Sequence, residues 1–190
     1  VPLLLEQCSL GDYLVDQLNL QSSCRAPDWS NWEAMIAEVR HPYDPVHIAV
    51  VGKYVELEDA YISVREALRH AGIARNRDVL IDWVKSGDLE EDRGWDTLAN
   101  CDGIVIPGGF GPRGIEGKIL AAHLARTEHI PYLGLCLGMQ LMCVEFARSV
   151  LELETAHSTE FDDKTAHPII HLMPDQRRLT NKGGTMRLGV

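Results

Sequence analysis

Cys136 carries glycines two residues to either side, as Gly134-x-Cys136-x-Gly138, at the end of the apolar run Pro131-Tyr132-Leu133-Gly134-Leu135. A short apolar run reads as a buried strand, and Leu137, Leu141, Val144 and Ala147 read as one face of a following helix. A cysteine at such a strand-to-helix turn, with small residues around it, is a nucleophile elbow bearing a thiol. The helix start would turn its amides and positive dipole end toward the sulfur and favour thiolate over thiol. A free cysteine in an apolar strand is more often buried and inert, but the paired glycines favour the nucleophile.

A thiolate that attacks an amide puts negative charge on the carbonyl oxygen, which preorganised backbone amides can stabilise. Pro107-Gly108-Gly109-Phe110-Gly111 offers such a loop, with the amides of Gly109 and Leu137 as the expected oxyanion donors. The stretch Gly109 to Gly114 also spells G-x-G-x-x-G. A dinucleotide site would need an acidic residue at the end of the next strand, which here runs into Cys136, and Pro112 removes an amide from the loop. Turnover would further require a general base. The candidates by position are His157 and His171, each of which reads equally as a surface histidine.

These residues need a scaffold, and the hydrophobic pattern supplies one. From His47 the chain alternates strand and helix: strands at 47–52, 79–84, 103–107 and into Cys136, with helices over 57–71 and 115–125 and Gly72 as a C-cap. This predicts an α/β fold, a mostly parallel sheet with helices on both faces and ligands at the carboxyl ends of its strands. Thr159-Glu160-Phe161 and residues 168–173 suit short strands. Residues 1–45 read as a helical linker, with a helix near Leu10 to Leu18 and another opened by a Ser30/Glu33 capping box and closed at His41-Pro42. Residues 46–190 form the second unit.

The 190 residues, 45% hydrophobic and 24% charged, suit a globular chain with a substantial core. A net charge of −10 disfavours nucleic acid and anionic membranes as partners. Five cysteines, without CxxC or zinc spacing, argue for a reducing, cytoplasmic setting and no metal. No apolar run approaches the ~18 residues that cross a bilayer.

Pro107 to Gly111 together with Pro131 to Gln140 resembles the class I glutamine amidotransferase family, whose fold is flavodoxin-like. Residues 52–61, Ser158-Thr159-Glu160-Phe161 and Gly183 to Gly189 narrow the resemblance to the CTP synthases, with 1–45 similar to the segment that joins synthetase and glutaminase domains. The resemblance implies hydrolysis of L-glutamine through a cysteinyl thioester, with ammonia passing to a synthetase domain that uses ATP and Mg²⁺ to convert UTP to CTP in a homo-oligomer. It implies Cys136 as nucleophile, Gly109 and Leu137 as oxyanion donors, and Gly109, Leu137, Gly138, Met139, Gln140 and Glu160 as the glutamine site, Glu160 holding the α-amino group. It also implies a role for residues 111–117, Arg113 included, in activation by GTP.

The family's His-Pro-Glu base motif has no counterpart, since His41-Pro42 lies in the linker and His167-Pro168-Ile169 lacks the glutamate. The arginine that holds the substrate carboxylate is missing too. The expectation is therefore an incomplete glutaminase unit, inactive alone. A non-catalytic assembly fragment and a free-standing cysteine hydrolase are the alternatives.

Overall fold

The structure, a computed structural model, describes residues 1–21, 23, 25–41 and 43–173. The Gly183–Gly189 motif lies outside the described residues.

The chain opens with α1 (Pro2–Gln7) and α2 (Leu10–Gln17), separated by Ser9 at φ +51°, then α3 (Ser30–Arg40). None of the three buries a residue. The expected Ser30/Glu33 capping box does not form. The N-cap is Trp29, and the carboxylate of Asp28 takes the Ser30 amide at 3.0 Å.

Four parallel strands follow: β1 (Pro45–Gly52), β2 (Asp78–Lys85), β3 (Gly103–Ile106) and β4 (Tyr132–Gly134), in the spatial order β2-β1-β3-β4. Between them run a 3₁₀ turn (Glu58–Tyr61), α4 (Ile62–Arg75), α5 (Ser86–Glu90), α6 (Trp95–Ala99) and α7 (Ile115–Thr127), with α8 (Leu137–Ser149) after β4. The steps β1 to β2 and β3 to β4 move in opposite directions across the sheet, so right-handed crossovers put α4 on one face and α7 on the other. Ala49, Val51, Ile104, Ile106 and Val84 alternate onto one face and pack against Leu89, Leu98, Ala121 and Ala125, forming the main core. A second cluster, Ile115, Ile119, Leu137, Leu141 and Val144, joins α7 to α8 under the turn at Cys136.

Some expected boundaries shift for local reasons. The helix after β1 begins as a 3₁₀ turn and runs past Gly72 to end at Asn76, which takes the left-handed C-cap at φ +55°. Gly72 instead lies inside α4, where a β carbon would come 2.7 Å from Val79 Cγ2 and 2.8 Å from the Arg77 carbonyl oxygen. The two final strands form a separate parallel pair, β5 (Ala156–Ser158) and β6 (His167–Ile170). Thr159–Phe161 is a turn rather than a strand, because the amides of Phe161 and Asp162 fold back onto the Ser158 carbonyl at 3.0 and 3.1 Å.

Candidate active site

Cys136 sits between β4 and α8 with φ +52° and ψ −106°. A residue with a β carbon holds such a conformation only when its surroundings enforce it. Here they do. A β carbon on Gly134 would lie 2.4 Å from the Met139 nitrogen, and one on Gly138 2.0 Å from the Ile106 carbonyl oxygen. Both obstacles are backbone, so the two glycines let the turn, the first turn of α8 and β3 lie against one another. Hydrogen bonds lock the arrangement: Leu135 N to Ile106 O at 2.9 Å, Gly138 N to Leu135 O at 3.0 Å, and Tyr132 Oη to Gly138 O at 2.8 Å. The thiol is exposed, and its sulfur has no hydrogen-bond partner among the described residues.

The glycine loop after β3 lies alongside. A β carbon on Gly108 would be 3.3 Å from Cys136 Cβ and 3.9 Å from Sγ, and one on Gly109 3.8 Å from Leu137 Cδ2. Cys136, Gly109, Leu137 and Gly138 are thus gathered at the carboxyl ends of β3 and β4. The amides of Gly109 and Leu137 have no acceptor among the described residues, which leaves both donors available to an incoming oxygen. Met139 is 45% exposed beside the elbow, and the Gln140 amide donates to the Cys136 carbonyl at 3.2 Å. Glu160 is exposed at the far rim of the loop, its Oε1 accepting the Gly111 amide at 3.4 Å.

Two lysines flank the same loop. Lys53, at the end of β1, donates through Nζ to the carbonyls of Phe110 and Gly111 at 2.5 and 2.6 Å. Burial and the nearby Arg113 lower its pKa, with Glu160 opposing. Arg113 itself lies over the Tyr54 ring, 5.2 Å from its centroid. Lys118, on α7, is fully buried, its Nζ 3.7 Å from the position of a β carbon on Gly109 and without a hydrogen-bond partner among the described residues. Neither lysine stands out from the motifs. The one sequence signal for Lys118 is that it interrupts the apolar stripe Ile115, Ile119, Ala122 of α7.

Burial, helped by the charge of Lys53, lowers the Lys118 pKa from 10.5 to about 8. Between those values the unfolded chain keeps a proton that the folded chain has released, so stability rises with pH across that window. Below pH 8 the enclosed charge costs about 3 kcal/mol. Lys118→Met, similar in length but uncharged, is expected to stabilise the chain by about that much at pH 7 and to remove this rise. Guanidinium unfolding at pH 7 and pH 10 measures both effects; an equal difference between the two chains at both pH values would show that the ammonium carries no such cost.

Neither His157 nor His171 makes a hydrogen bond to the Cys136 sulfur. His157 Nε2 lies 3.7 Å from Glu116 Oε1, its Nδ1 accepts the Ser158 amide at 3.0 Å, and its ring packs at 5.7 Å on Phe161. Burial and Arg148 lower its pKa against the pull of Glu116 and Asp162. His171 Nδ1 lies 2.8 Å from Thr159 Oγ1, and His167 Nδ1 2.9 Å from Thr155 Oγ1. Among the described residues no cluster could hold a metal ion, and no helix is long and apolar enough to cross a membrane.

Residues 56–190 match the family model described as glutamine amidotransferase class-I. CTP synthase of Chloroflexus aurantiacus is 55% identical across the whole chain, which covers 34% of that protein, and CTP synthase of Methanopyrus kandleri is 51% identical with 35% covered. The chain thus spans about a third of the length of the curated relatives it matches. The solved glutaminase domain of Trypanosoma brucei CTPS, with bound acivicin, superposes at a TM-score of 0.66 with 40% identity, over 70% of this chain and 52% of that one. The chain belongs to the class-I glutamine amidotransferase family.

Proposed function

We propose that this chain is the glutaminase part of a CTP synthase, with Cys136 as its nucleophile. The observation that carries the reading is the exposed thiol held at positive φ beside the Gly108-Gly109 loop, with the amides of Gly109 and Leu137 unclaimed among the described residues. The Cys136 thiolate attacks the side-chain amide carbon of L-glutamine, and the oxygen that becomes negative is held by the amides of Gly109 and Leu137. Collapse of the tetrahedral species expels ammonia with an added proton and leaves a γ-glutamyl thioester. Water then displaces the sulfur to release glutamate. Gly138, Met139 and Gln140 line the substrate, and Glu160 takes its α-ammonium group.

The helices of residues 1–45 join this unit to a synthetase domain that binds ATP and Mg²⁺ and consumes the ammonia in converting UTP to CTP within a homo-oligomer. Residues 111–117, with Arg113 fixed over Tyr54, respond to GTP as activator. Family membership and the relatives' names support this reading.

Acivicin, present in the structure of the Trypanosoma brucei relative, serves as a probe. It is expected to label Cys136, and saturating L-glutamine to slow that labelling. Glu160→Gln is expected to weaken the protection roughly 10-fold, since a hydrogen bond to a charged group is lost. Labelling at Cys136 that L-glutamine leaves unchanged would contradict a glutamine site.

A further inference from the structure

An ammonium enclosed without a hydrogen bond is an expense that folding alone does not explain, since an apolar side chain of similar length would suit the same space. Lys118 is such a group, fully buried with its Nζ unpartnered among the described residues. Its neighbour Lys53 differs in being held by two carbonyls of the loop. Lys118 projects from α7 to the underside of Gly109, 3.7 Å from where a β carbon would stand, at a position shared with the side chain of Leu137. The expected donor Gly109 therefore stands beside this buried ammonium, and the side chain of Leu137, the residue that carries the other donor, borders the same position. We propose that Lys118 is a positioning residue of the site, a fixed positive charge beneath Gly109 that helps the amides of Gly109 and Leu137 meet an oxygen gaining negative charge at Cys136. This inference rests on the glutaminase reading and adds to it a residue that touches neither substrate nor sulfur.

The charged groups packed around α7 leave this role to Lys118. On α5, Glu90 accepts the Gly117 amide at 2.9 Å, and Asp88 pairs with Arg93. On α8, Glu145 is taken by Arg126 and His123, and Arg148 by Glu116, which also faces His157. In the loop Arg113 lies over Tyr54, and Glu160 faces Gly111 and Lys53. Lys53 is the charge that acts on Lys118, and it pushes the same way as burial, so that Lys118 loses its proton near pH 8.

Two reagents separate help to an oxyanion from simple access to the thiol. Iodoacetamide needs only the thiolate. A diazo-ketone analogue of glutamine must seat its carbonyl oxygen against the loop while the sulfur–carbon bond forms, dinitrogen leaves, and solvent supplies the proton taken up by the diazo carbon. Comparing the chain with its Lys118→Met variant by peptide mapping, we expect the diazo-ketone to label Cys136 about 10-fold more slowly in the variant at pH 7, with the iodoacetamide rate unchanged. The advantage of the unsubstituted chain is expected to fade as pH rises through about 8, where Lys118 becomes neutral.

Equal slowing with both reagents, no slowing with either, or an advantage that persists unchanged to pH 9.5 would overturn the inference. A diazo-ketone that ignores Cys136 in the unsubstituted chain would overturn the glutaminase reading itself. One that labels Cys136 without regard to Lys118 would overturn this inference alone.

Discussion

Ammonia release from L-glutamine by these 190 residues is expected to run roughly 10²- to 10⁴-fold below that of a longer chain that adds a His-Pro-Glu segment, the usual range for general acid–base catalysis. The elbow presents a sulfur that can attack, but the departing ammonia must gain a proton and a water must lose one before the thioester opens. No described residue is bonded to Cys136 Sγ in a way that could move either proton. His157 is engaged with Glu116, Ser158 and Phe161, and its lowered pKa reflects burial rather than a thiolate partner. A coupled ammonia assay on the chain, the longer chain and a Cys136→Ala variant of each gives the comparison. Turnover by the shorter chain equal to that of the longer one, and lost in Cys136→Ala, would show that a histidine within these residues serves as base.

Gly109→Pro, made in a chain joined to an active synthetase domain, is expected to lower glutamine-dependent CTP formation by 10²- to 10³-fold or more while ammonia-dependent formation stays near its starting rate. Removing a single oxyanion donor costs roughly 3 kcal/mol of transition-state stabilisation. Proline removes the Gly109 amide outright and also restricts Gly108, which lies against Cys136. Rates with glutamine and with ammonium chloride, measured side by side, separate the outcomes. An equal fall with both nitrogen sources would mean that the loop maintains the fold or the coupling between domains rather than the acyl chemistry.

The parts of the site legible in sequence are those where chemistry and backbone geometry demand the same residue types. Gly134, Cys136 and Gly138 mark the elbow because only hydrogen fits against Met139 N and the Ile106 carbonyl. Strands β1 and β3 are legible because buried parallel strands read as continuous apolar runs, whereas β4, expected as a buried strand, keeps the apolar run without burying a residue, Leu133 being 52% exposed. Helices α5 and α6 are not legible, because five residues each are too few to establish a 3.6-residue period. Gly72 looked like a helix stop because the close approach of Val79 cannot be read from neighbouring residues, whereas Asn76 took the left-handed position that a C-cap needs. The strand expected at Thr159–Phe161 gave way to a turn on the Ser158 carbonyl, which instead brings Glu160 to the rim of the glycine loop. Lys118 is not legible for a related reason: a lone lysine on a helix reads as solvated, and only the fold encloses it.

The central claim is that the turn makes Cys136 a glutamine-directed nucleophile, and competitive labelling of Cys8, Cys101, Cys136 and Cys143 by the diazo-ketone tests it most directly. Cys101 donates its thiol to the Leu98 carbonyl at 3.2 Å and burial raises its pKa, while Cys143 is half-buried on α8 with its sulfur 3.9 Å from Met139 Sδ. Cys8 is exposed but lies on the helical lead, far in sequence from the loop. Peptide mapping of the folded chain is expected to find the reagent on Cys136 well ahead of all three, with Cys8 competing only when iodoacetamide is used instead. Equal labelling of Cys136 and Cys8 by the diazo-ketone would contradict the account.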